Sequence, residues 1–173
     1  MAYIDTSVLL SYYFTDDVNH DLAVGVVEEL RRERRGLYVS PLTVVELFSA
    51  VSRRLPELRV PPQLRYLDEG ARVRVLVKHI LRALDPVVVG DELRAEPFDG
   101  VEFFHVFAKA VGYSHVLKLR TLDLVHIAYA LRLVERGLVD TVVSLDRELL
   151  SKEQLLRSIG LGVVVPTAGG GDQ

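Results

Sequence analysis

Four carboxylates stand where a fold can gather them: Asp5, Glu46, Asp123 and Asp146. Asp5 follows the apolar run Ala2-Tyr3-Ile4 and precedes Thr6-Ser7. Thr and Ser are N-cap types, since a side-chain oxygen accepts an unpaired N–H of the first helical turn. Glu46 lies less than two turns into a helix announced by Ser40-Pro41, with Pro where its missing N–H costs nothing. It falls in a stripe with Leu42, Ser49 and Arg53, away from the apolar face of Val44, Leu47, Phe48, Val51 and Leu55. Asp123 is in the first turn of a helix capped by Thr121, with His126, Ile127 and Ala130 on its side. Asp146 directly follows the strand Thr141-Val142-Val143-Ser144. Singly, each has an ordinary reading as a turn, surface, dipole-compensating or capping acid. A carboxylate opening so apolar a helix as Asp123 does, however, is poorly solvated without a partner.

Four carboxylates in one pocket raise each other's pKa, and a divalent cation relieves the conflict. Oxygen ligands and the absence of cysteine favour Mg²⁺ or Mn²⁺ over zinc. Such an ion lowers the pKa of a bound water, orients it for in-line attack and neutralises charge building on a phosphate. The matching reaction class is phosphodiester hydrolysis. His126 is read as a hydrogen-bonded structural histidine, because water activated in this way needs no histidine base. A polymer of phosphates needs a flanking basic track, for which Arg53, Arg54, Arg65, Arg72 and Arg74 are the candidates.

The elements that must position these acids alternate. The strand at Ala2–Ile4 is followed by a helical turn over Val8–Phe14 and a helix over Val18–Arg35, stopped at Gly36. Leu37–Val39 is a second strand, and Pro41–Leu55 the helix that bears Glu46. After a proline-marked connection from Pro56 to Pro62, a mostly helical stretch runs from Gln63 to Leu84 with a break near Gly70. Val87-Val88-Val89 is a third strand, a β-branched run suited to burial on both faces. A loop with a short helix near Glu92–Ala95 leads to a helix over Val101–Val111, ended by Gly112. Its phenylalanines, Phe103, Phe104 and Phe107, read as core or interface packing. The Asp123 helix spans Leu122–Arg136; a strand, two short helices after Asp146 and Ser151, and a fifth strand at Gly162–Val165 close the domain. This order calls for an α/β fold, a parallel sheet between helices. Right-handed crossovers put all strand carboxyl ends on one edge, where the four acids can meet.

The 173 residues suffice for one domain, expected over residues 1–166 with a longer helical segment about 56–118 and an unstructured tail over 167–173. At 49% hydrophobic and 26% charged the chain is globular. A net charge of -3 excludes a general basic coat. Lack of cysteine, of a signal peptide and of a long apolar run predicts a cytoplasmic protein with no membrane segment.

The motifs Asp5-Thr6-Ser7, Pro41-Leu42-Thr43-Val44-Val45-Glu46, Leu122-Asp123-Leu124-Val125-His126-Ile127-Ala128 and Ser144-Leu145-Asp146 resemble the four acidic motifs of PIN-domain ribonucleases, and among them the VapC-type toxins of toxin–antitoxin pairs. The resemblance spans nearly the whole chain. It implies a three-layer α/β/α domain with a five-stranded parallel sheet in order 3-2-1-4-5, usually dimeric. It also implies that Asp5, Glu46, Asp123 and Asp146 bind Mg²⁺ or Mn²⁺ or orient its water, with Ser7 and Ser144 supporting by hydrogen bonds. An RNA substrate and a cognate antitoxin are the implied partners. The longer middle segment departs from the compact toxins and leaves an RNA-processing role open. A non-cleaving module that binds RNA or protein is the alternative of another class, and the presence of all four acids argues against it. A phosphotransfer enzyme with Asp5 as nucleophile is disfavoured, because Ser7 stands where that chemistry usually places a second Asp.

Overall fold

The computed structural model describes residues 1–58, 61–92, 94–98, 100–164 and 166. The tail expected over 167–173 and the end of the last strand at Val165 lie outside these. In chain order the elements are β1 (Ala2–Ile4), α1 (Thr6–Tyr13), α2 (His20–Arg32), β2 (Leu37–Val39) and α3 (Pro41–Arg54). A 3-10 turn (Pro62–Leu64), α4 (Glu69–Leu84), β3 (Val87–Val88), β4 (Ala95–Phe98), β5 (Val101–Phe104) and α5 (His105–Leu117) follow. Then come α6 (Thr121–Glu135), β6 (Thr141–Val143), α7 (Arg147–Leu150), α8 (Glu153–Ser158) and β7 (Gly162–Val164).

The main sheet has the order β3-β2-β1-β6-β7, with every pair parallel. With the β4–β5 hairpin set aside, this is the expected 3-2-1-4-5 order. Side chains alternate across a strand, so β1 feeds two cores. Ala2 and Ile4 join Val39 and Val143 in a core with α1, α2, α3 and α4. Tyr3 joins Val142 and Val163 in a core with α5, α6 and the chain after β6. The result is the three-layer α/β/α arrangement. No helix among the described residues is long and apolar enough to cross a membrane.

Several expectations are corrected. Val87 and Val88 are about half exposed, at 54% and 46%, because β3 is an edge strand; β-branched residues suit a pleated surface whether or not it is covered. The segment Val101–Phe104 is not helical. It pairs antiparallel with β4 across a turn in which Gly100 has φ +77°, a conformation that favours glycine. The helix starts at His105 and runs through Gly112 to Leu117. Phe104 and Phe107 are exposed at 52% and 45%, so they are not core. Of the short helix expected near Glu92–Ala95, the described residues Glu92, Arg94 and Ala95 are not helical, and Ala95 opens β4. The second helix begins at His20 and ends at Arg32, and Arg34 rather than Gly36 takes the left-handed position after it. Arg120 precedes α6 in place of Thr121, and no side-chain bond caps α8.

Candidate active site

Asp5 rather than Thr6 or Ser7 occupies the N-cap of α1. Three donors fix its carboxylate. The Thr6 N–H donates to Oδ1 at 2.7 Å, and Ser7 and Ser144 donate their hydroxyls to Oδ2 at 2.8 and 2.7 Å. Ser7 Oγ also accepts the Leu145 N–H, and Ser144 Oγ accepts the Asp146 N–H. The two serines therefore tie the corner after β1 to the corner after β6, with Asp5 between them.

Glu46 arrives from α3, whose start is held by a capping box between Ser40 and Thr43. Its Oε2 accepts hydrogen bonds from Thr6 Oγ1 and, at 2.7 Å, from His126 Nε2. His126 comes from the buried α6 and is itself 2% exposed. Its Nε2 lies 3.5 Å from Asp5 Oδ1, and its Nδ1 is 2.7 Å from the Tyr3 hydroxyl. Asp5, Glu46 and His126 each offer a ligand atom within 4.8 Å of the others.

Asp123 joins them in the wall of a cavity of about 340 Å³, which also takes in Leu10, Ser49, Arg53 and Leu122. Asp146 does not line that cavity. Its Oδ1 caps α7 by accepting the Glu148 and Leu149 N–H groups at 2.7 and 3.4 Å. Its charge nonetheless reaches Asp123. Burial, then the negative charges of Asp146 and Asp5, push the Asp123 carboxyl up to about 6. Burial would also raise Glu46, but the bonds from His126 and Thr6 outweigh it and hold Glu46 below the usual carboxylate range. Burial would lower His126; the Glu46 bond and the charges of Asp5, Glu46 and Asp123 reverse this and raise it. The site thus holds more negative charge than its one histidine balances. A set of carboxylates with no thiolate fits a hard divalent cation.

Of the five arginines proposed as a basic track, Arg53 borders this cavity and donates to Ser49 Oγ at 2.9 Å. Arg54 turns to the Phe14 ring, 4.1 Å from its centroid, and to Asp16. Arg72 donates to the Leu67 carbonyl, while Arg65 and Arg74 are exposed. Residue spacing missed Thr6 as a donor to Glu46, and it missed Tyr3, Ser40 and Thr43 behind His126. The available signal was a tyrosine in a buried strand, whose hydroxyl must find a partner.

A second, apolar cavity of about 430 Å³ adjoins the acidic one, with Leu122 in both walls. Leu42, Val45, Phe104, Phe107 and Tyr129 line it. The Tyr129 hydroxyl donates to Asp91, and Arg132 pairs with Glu92 at 3.0 Å, tying the segment after β3 to α6.

No curated protein matches the chain. Among solved structures it is similar to the crystal structure of Mycobacterium tuberculosis VapC20, described as a sarcin-ricin loop cleaving toxin. The identity is 14% and the TM-score 0.55, over 87% of this chain and 94% of that one. At that identity the likeness speaks for the fold. The family model for the PIN domain matches residues 2–153. With the sheet order and the acids at its carboxyl edge already in place, the chain belongs to the PIN domain family.

Proposed function

We propose that this protein is a metal-dependent endoribonuclease that hydrolyses RNA phosphodiester bonds, and that it is the toxin of a toxin–antitoxin pair. The observation that carries the reading is the convergence of Asp5, Glu46 and Asp123 on one cavity, with Asp146 close enough to raise Asp123. These four residues would hold Mg²⁺ or Mn²⁺, whose chemistry is activation of water and neutralisation of charge at the scissile phosphate. Asp5 is held rigid by the Thr6 amide and two serine hydroxyls, so its carboxylate is oriented before any ligand arrives. Glu46 is aimed by Thr6 and His126. Arg53 supplies positive charge at the rim, where a phosphate of the strand can sit. Leu10 and Leu122 supply the apolar part of the wall. The reading includes cytoplasmic placement, a homodimer and an antitoxin partner. The exposed apolar side chains of Val45, Phe104, Phe107 and Leu122 suit protein contact.

The test is cleavage of a panel of single-stranded and structured RNAs with Mg²⁺, Mn²⁺ or EDTA, comparing wild type with Asp5→Asn. Cutting that requires both the ion and Asp5 supports the reading. Equal cutting by Asp5→Asn, or no divalent-ion binding by the wild type in calorimetry, refutes it.

A further inference from the structure

We propose that Tyr3 is a positioning residue of this site: its hydroxyl donates to His126 Nδ1 and so holds the imidazole in the tautomer whose Nε2–H points at Glu46. The hydrogen-bond directions lead there. His126 Nε2 faces two carboxylate oxygens, Glu46 Oε2 at 2.7 Å and Asp5 Oδ1 at 3.5 Å, and among the described residues no donor. That nitrogen must carry a hydrogen. In the neutral ring, the form present above the His126 titration midpoint, there is only one N–H, so Nδ1 is then an acceptor in need of a donor. Tyr3 is the residue that reaches it, at 2.7 Å. The Tyr3 oxygen in turn accepts from Ser40 Oγ at 2.8 Å. Ser40 Oγ accepts the Thr43 N–H at 3.3 Å, inside the capping box that starts the Glu46 helix. Tyr3, Ser40, Thr43 and His126 are all buried, so water does not compete for these bonds.

One phenol therefore joins β1, the start of α3 and the middle of α6, the three elements that bring Asp5, Glu46 and Asp123 together. The same assignment makes His126 a donor that orients Glu46 instead of a ligand to an ion, despite its proximity to both carboxylates. Outer-shell bonds of this kind to a ligating carboxylate are worth about 10–100-fold in metal affinity. The metal part of this inference rests on the nuclease reading; the tautomer does not.

The experiment is ¹⁵N NMR of the His126 ring above its titration midpoint, in wild type and Tyr3→Phe, with the resonance assigned by its loss in His126→Gln. Mg²⁺ calorimetry is run on the same samples. The expected result is an Nε2–H tautomer in wild type, loss of that single tautomer in Tyr3→Phe, and Mg²⁺ binding weakened about 10-fold, the low end of the range because Tyr3 acts through His126. An Nδ1–H tautomer in wild type overturns the proposal even if Tyr3→Phe does not fold. An unchanged tautomer, or an unchanged Mg²⁺ affinity, in a folded Tyr3→Phe also overturns it. If the wild type binds no Mg²⁺, the nuclease reading fails, while the tautomer comparison still decides the role of Tyr3.

Discussion

Replacing Asp123 by Asn should stabilise the protein while destroying its site. In the folded chain the Asp123 carboxyl is pushed from 3.8 up to about 6 by burial and by the charges of Asp146 and Asp5. The folded state therefore holds this proton more tightly than the unfolded state. Stability contributed by the protonated form is fully present below pH 3.8 and is lost as pH rises through about 6. One pKa unit corresponds to about 1.4 kcal/mol, so the full shift amounts to about 3 kcal/mol. Asp123 is only half-buried, and solvent screening reduces this to about 1–2 kcal/mol. At roughly 2–4 °C per kcal/mol for a chain of this size, Asp123→Asn should raise Tm by about 2–8 °C. The assay is calorimetric melting in EDTA from about pH 4 to pH 8, a window that takes the folded Asp123 from protonated to ionised. The gain should be largest above pH 6 and shrink toward zero near pH 4. Added Mg²⁺ should stabilise the wild type by mass action and narrow the gap. A Tm for Asp123→Asn at or below the wild-type value near neutral pH, or a gain independent of pH, would refute the crowding of charge on which the metal argument stands.

Two further outcomes separate site from scaffold. Ser144→Ala removes a donor to Asp5 and the acceptor for the Asp146 N–H; RNA cleavage should fall about 10–100-fold, with a loss of about 1–3 kcal/mol in a urea melt. Gly162→Ala puts a Cβ 2.8 Å from Thr141 Cγ2 and 3.1 Å from the Asp140 carbonyl where β7 pairs with β6; it should cost about 1–3 kcal/mol by overpacking, with cleavage per folded molecule unchanged in the same RNA assay.

The positions of the acids were legible because backbone signals fix them. A short apolar run, a capping residue and a change of period locate a strand's carboxyl end, and Asp5 and Asp146 sit there by sequence alone. The parallel order then follows from handed crossovers, since β1, β2 and β6 are each separated by helices. Where local signals compete, the reading failed. Val101–Phe104 carries helix-compatible spacing, yet its β-branched and aromatic residues follow an Asp-Gly dipeptide, a stronger hairpin signal. The chemistry of the site was less legible than its location, because it resides in hydrogen bonds between residues far apart in sequence. Ser144 meets Asp5 across 139 positions, and His126 meets Tyr3 across 123. No periodicity encodes such pairs. What the sequence does contain is the obligation: a buried tyrosine, a buried histidine and buried serines each need partners. Here those obligations are met by one another, and the last acceptor in the chain is the carboxylate of Glu46. The polar groups that the core has to satisfy and the groups that aim the acids are the same atoms. For this reason a substitution such as Tyr3→Phe should be felt at the site before it is felt in the fold.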